Sequence, residues 1–124
     1  MTEWKIDELE KIGRADELRL ASQRRDGTLR RSVIIWVVRV DDQLYVRCVN
    51  GRQGAWFRGV LTQHAGKVSA GGADKEVVFI EETDPGINDQ IDAAYLSKYS
   101  RYPQYVAPMV TPKVREATLK LVPR

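Results

Sequence analysis

The sequence predicts a mainly β, α+β domain, a small six-stranded antiparallel barrel of Greek-key type with flanking helices. Short extended segments follow one another across tight turns, and a single helix interrupts them after the third strand. A doubly wound parallel sheet needs a helix after every strand. With 124 residues, one cysteine and 43% hydrophobic residues, a single domain over 1–124 fits the chain. At this length roughly two-thirds of the unfolded surface is buried on folding, so no disulfide is needed to build a core.

Trp4, Ile6, Leu9 and Ile12 recur at helical spacing and predict a short amphipathic helix that ends at Gly13. Glu17 to Arg25 reads as a strand, and Asp26-Gly27 predicts a tight hairpin turn of the primed kind. The returning strand culminates in Val33-Ile34-Ile35-Trp36-Val37-Val38, apolar on both faces, which predicts a central strand covered on each side. Asp41-Asp42 turns the chain into a third strand, Leu44 to Val49, where Leu44, Val46 and Cys48 share one face and Tyr45, Arg47 and Val49 the other. An arginine on such a strand calls for a partner.

Trp56, Phe57, Val60, Leu61 and His64 share a helical face, with Gly66 closing that helix. Two short strands, Val68 to Ala70 and Val77 to Ile80, flank the glycine-rich turn at Gly71-Gly72. Asp84 as N-cap and Pro85 at the first position open another helix, with Ile87, Ile91, Ala94, Tyr95 and Tyr99 on one face. Pro103 and Pro108 prevent its continuation, and Ala117 to Val122 alternates as the last strand.

The longest apolar run has six residues, far from the ~20 a membrane-spanning helix needs, and Met1-Thr2-Glu3-Trp4-Lys5 lacks the pattern of a signal peptide. A cytoplasmic protein without a membrane partner is expected. One histidine and one cysteine exclude the usual metal clusters, so no metal is expected, and no P-loop or nucleophile elbow is present. Catalytic residues are not assigned. His64 reads as a helix-end residue and Cys48 as a small core residue.

The net charge is only +3, but it is unevenly spread: every base between residues 24 and 58 is an arginine, whereas 74–92 is strongly acidic. Arginine's planar fork suits bidentate capture of phosphate or carboxylate. Nucleic-acid binding is not expected from so weak a net charge. Arg24 and Arg25 flank the predicted hairpin and Arg47 lies on an adjoining strand, a placement that would let three guanidinium groups converge on one phosphate. Gly51 would let a ligand approach backbone N–H groups, and Trp36, Trp56 or Phe57 would wall a planar ring.

The run Leu20 to Ser32, with Arg24-Arg25-Asp26-Gly27 at its centre, resembles the hairpin motif of deazaflavin-dependent nitroreductases of the FMN-binding split-barrel superfamily. Trp36, Leu44-Tyr45-Val46-Arg47, Gly51 and Ala55-Trp56-Phe57-Arg58 follow that family's order. Over its whole length the chain also resembles a bacterial domain-of-unknown-function family of the same superfamily, through Arg25-Asp26-Gly27, Tyr45-Val46-Arg47, Gly71-Gly72 and the Ile91 to Tyr99 segment. The resemblance implies a split barrel, a homodimer, and FMN or deazaflavin bound between subunits by Arg24, Arg25, Arg47 and Gly51. It implies a flavin- or deazaflavin-dependent oxidoreductase, with Tyr95, Lys98 and Tyr99 as residues that would contact a small-molecule substrate. Gln23, Asp26 and Gly59 stand where the nitroreductases carry glycine, serine and asparagine. The loss of the hairpin glycine and serine favours the alternative, a non-catalytic dimeric module that binds a small anionic ligand or cofactor.

Overall fold

The computed structural model describes residues 3–124; Met1 and Thr2, part of the chain start read above, lie outside the described residues. The chain runs through α1 (Ile6–Arg14), β1 (Leu18–Ser22), β2 (Val33–Ile35), β3 (Val38–Val40) and β4 (Gln43–Arg47). A 3-10 turn at Gly51–Gln53 then leads to α2 (Ala55–Gln63), β5 (Ala65–Ala70), β6 (Ala73–Glu81) and α3 (Pro85–Lys98). Two short helices, α4 (Pro103–Val106) and α5 (Pro112–Arg115), bracket a second 3-10 turn, and β7 (Thr118–Pro123) ends the fold.

The α+β class holds, but the strands number seven and not six. They form one antiparallel sheet in the order β2-β1-β5-β6-β7-β4-β3. The difference lies in the apolar run 33–38, expected to be one central strand. It is cut at Trp36-Val37 and supplies both edges of the sheet. Since consecutive Cα atoms are 3.8 Å apart, Ile35 and Val38 stand at most about 11 Å from each other. The sheet therefore curls until its two edges almost meet, leaving a seam that the Trp36-Val37 crossover spans.

The strand buried on both faces is β4. Its Leu44 and Val46 point into the barrel core, plugged by Leu9 and Ile12 of α1, while Tyr45 faces a second core. That second core lies between β3–β4 and α3, from Val38 and Tyr45 to Ile91, Tyr95 and Tyr99, and is completed by Val106, Met109 and Val114 of the proline-punctuated segment. Each such fully buried side chain contributes about 1.5–3 kcal/mol.

Local signals hold with informative shifts. The Asp84 carboxylate accepts a 2.8 Å bond from the Ile87 N–H, as an N-cap should. Helix α1 runs one residue past Gly13, to Arg14, and α2 ends on His64, which adopts the left-handed conformation (φ 55°). Gly66, expected to close α2, lies inside β5. In the hairpin after β1 only Gly27 has positive φ, at 92°, so the turn is not primed. Gly27 N–H bonds to Arg24 O and Arg24 N–H to Thr28 O, the pattern of an ordinary turn followed by a glycine bulge.

Candidate functional site: an apolar cleft at the barrel seam

Arg47 explains why an arginine sits on β4. Its Nε donates to Thr118 Oγ1 at 2.9 Å, Nη1 to Asp92 Oδ1 at 2.5 Å and Met109 O at 2.9 Å, and Nη2 to Asn88 O and Oδ1 at 3.2 and 2.9 Å. All five N–H donors of a guanidinium are thereby engaged. Its side chain is fully buried, and Asp92 passes its other oxygen to Arg115 at 2.6 Å. Arg47 thus clips β4 to α3, β7 and the segment carrying Met109, with no N–H left for a phosphate. The expected convergence of Arg24, Arg25 and Arg47 does not form.

Against this buried guanidinium lies a cleft of about 230 Å³ lined by Ile34, Ile35, Trp36, Val49, Trp56, Tyr105 and Met109, with Arg47 behind them. Ile34–Trp36 come from the strand edge at the seam, Trp56 from the first turn of α2, and Tyr105 and Met109 from the segment after α3. Ile34 and Val49 are each 52% exposed and Tyr105 70% exposed, so the walls are open to a planar apolar ligand. Trp36 is held by a flat stack on Tyr99, with centroids 3.9 Å apart and planes 4° from parallel.

Of the sequence-predicted residues, the cleft gathers Trp36, Arg47 and Trp56. Arg24 stays in its hairpin, donating to Thr28 Oγ1 and Leu29 O, and Arg25 is exposed beside it; neither lines the cleft. Bonds from Thr28 hold the Asp26 carboxyl below its usual range and brace the same turn. Gly51 is buried with φ 72°, its open side against Lys113, and Phe57 is fully buried in the barrel core.

The residues expected to contact substrate face inward. Tyr95 and Tyr99 are 0% exposed. Burial raises the Tyr95 hydroxyl well above its ordinary value, against the pull of the Arg47 charge; no acceptor or donor meets it in good geometry, and the backbone of Arg47 is its polar neighbour. Tyr99 Oη accepts from Val37 N–H at 3.2 Å and donates toward Asp16 O and Val37 O, at 2.8 and 3.1 Å. Lys98 Nζ donates to Ala15 O and Val37 O, both at 2.6 Å. These side chains satisfy the backbone of the crossover, which has no strand partner.

Tyr105, Met109, Val49, Ile34 and Ile35 were not singled out by sequence; a tyrosine between Pro103 and Pro108, in a segment that cannot continue the helix, was the available signal. A larger groove of about 370 Å³ runs past Arg52, Asn88, Arg115 and Glu116, but its arginines are committed to Glu81, Asp89 and Asp92, and it has no aromatic wall. His64 and Cys48 line neither; burial pushes the Cys48 thiol up, away from a reactive thiolate. Among the described residues no group of His, Cys, Asp and Glu is arranged to hold a metal, and no helix is long and apolar enough to cross a membrane.

No curated relative matches the sequence. The family described as "Uncharacterized protein conserved in bacteria (DUF2255)" matches residues 8–121. The chain belongs to this family. Its fold is also that of several solved structures at low identity. An F420-H2 dependent reductase superposes with a TM-score of 0.63 at 13% identity, over 86% of this chain and 93% of that one. A FAD-binding protein from Mesorhizobium loti gives 0.65 at 16%, over 100% and 90%. The haem storage protein HutZ from Vibrio cholerae gives 0.66 at 12%, over 93% and 86%. The neighbours thus share a split-barrel fold across proteins of different ligands.

Proposed function

We propose that the protein is an oxidoreductase that binds the planar ring of FMN or a deazaflavin in the cleft between Trp36, Trp56 and Tyr105. The observation that carries this is an open, apolar cleft with two indole walls at the seam of a fold shared with F420- and FAD-binding proteins. The bound cofactor would supply hydride transfer. The chain's own residues would orient the ring and exclude water, and the cleft holds no carboxylate, histidine or lysine for acid–base work.

The phosphate cannot fall to Arg47. Arg24 and Arg25 keep N–H donors free, so the hairpin is the anchor this reading uses. The cleft is smaller than the roughly 300–1,000 Å³ of ordinary ligand pockets, and its exposed Ile34, Val49 and Tyr105 call for a cover. A second copy of the chain, forming a homodimer, would supply it. A cytoplasmic setting accords with the single, buried thiol.

A titration of the purified protein with FMN and with a deazaflavin, followed by quenching of cofactor fluorescence, tests the reading. Saturable micromolar binding of either is expected; no binding of either overturns it. The second reading, a non-catalytic module for a small anionic ligand or cofactor, is favoured by a cleft lining without a carboxylate, histidine or lysine for acid–base work. Haem ligated by histidine or cysteine finds no such residue in the cleft.

A further inference from the structure

The barrel is open at one place, the Trp36-Val37 crossover, and α3 closes it with two consecutive side chains. Lys98 Nζ joins Val37 O on the crossover to Ala15 O on the α1–β1 connection, and Tyr99 Oη grips both the N–H and the O of Val37 and reaches Asp16 O. The Tyr99 ring carries the flat stack of Trp36, and Tyr102 leans on the other indole contact at 5.9 Å. Trp36 is a wall of the cleft, so whatever holds Val37 also sets that wall.

The ammonium of Lys98 is half-buried, with two carbonyls as its hydrogen-bond partners and the Tyr99 ring centroid at 5.1 Å; among the described residues no carboxylate lies within ion-pair distance. The groups that act on it are Asp16 on the α1–β1 connection and the ring of Tyr99, the residue that caps α3; Glu17 and Arg101 act in turn on Tyr99. Arg101 already pairs with Asp16. We propose that Lys98 and Tyr99 are positioning residues for the cleft: they lock the crossover, and the protonation state of Lys98 sets how firmly Trp36 is held. This rests on the reading of the cleft as a ring site.

Burial lowers Lys98 from its ordinary 10.5 to about 8, with the Asp16 charge opposing the shift. A neutral amine still has the two N–H donors its two carbonyls need. When the crossover lifts and Nζ meets water, the amine regains its ordinary affinity for a proton. Opening therefore takes up a proton between pH 8 and 10.5, and raising the pH through that window disfavours it by up to about tenfold per unit. Below pH 8 both states are protonated and the equilibrium is flat. The seam is loosest at neutral pH and tightens as Lys98 loses its proton.

The test is amide hydrogen exchange at Val37, corrected for the intrinsic rate, on the ligand-free protein, together with 19F NMR of 5-fluorotryptophan protein in which Trp36 is assigned by its loss in Trp36→Phe. Protection at Val37 should rise with pH above 8 in the wild type, and the Trp36 resonance should follow the same profile. Lys98→Arg, which cannot lose its charge here, should give a flat profile. Lys98→Met, with nothing to titrate, should be flat as well and serves if the arginine is not accommodated. Flat protection in the wild type, an equal rise in both variants, or a Trp36 line that does not move overturns the proposal. Because no ligand is present, failure of FMN to bind would sink the cofactor reading and leave this result standing.

Discussion

On its two sides the Arg47 guanidinium meets opposite surroundings. Inward, Asp92, Asn88, Thr118 and the Met109 carbonyl take every N–H it has. Outward, Ile34, Val49, Trp56 and Tyr105 present apolar surface that this chain leaves exposed or half-exposed. A guanidinium near a cleft is thus no evidence of an anion site until its donors are counted. Satisfied polarity marks the framework, and uncovered apolar surface marks the place the proposed ring site uses.

Arg47→Ala should break the comparison most severely. It leaves Asp92 with Arg115 alone and the Asn88 and Met109 carbonyls without this donor, and urea unfolding should show a loss of about 2–6 kcal/mol, at about 1–3 kcal/mol for each buried acceptor left unsatisfied. If it instead left stability intact and abolished FMN binding, Arg47 would be a ligand-binding residue. A smaller effect is expected at the hairpin. Arg25→Ala should leave unfolding unchanged within about 0.5 kcal/mol, because the side chain is exposed. It should weaken FMN by about 1.5–3 kcal/mol, the scale of a hydrogen bond to a charged group, and leave riboflavin, which lacks the phosphate, unaffected.

Most elements were legible in the sequence because their signals are local: the Asp84-Pro85 helix start, the Gly71-Gly72 turn, the alternation of β4. The seam was not. Val33 to Val38 reads as a strand covered on both faces, and nothing in its periodicity says that one half pairs with β1 and the other with β4. Lys98 and Tyr99 read as candidates for a ligand because the backbone groups they satisfy lie 61 or more residues away. Arg47 was legible as a residue needing a partner, but Asp92 and Asn88 come into reach only through the docking of α3 on β4. Trp36 and Trp56 were found because large aromatics are few, whereas Val49 and Tyr105 owe their part to exposure, which composition does not report.

The most direct test of the cleft as the ring site is a fluorescence titration with FMN of the wild type and of Val49→Asp. Val49 is 52% exposed, so the substitution should leave the fold's stability within about 0.5 kcal/mol while placing a charge against the ring. Saturable quenching in the wild type and none in the variant is the result this account predicts. Equal binding by both proteins would contradict it, because the ring would then lie somewhere other than the cleft at the barrel seam.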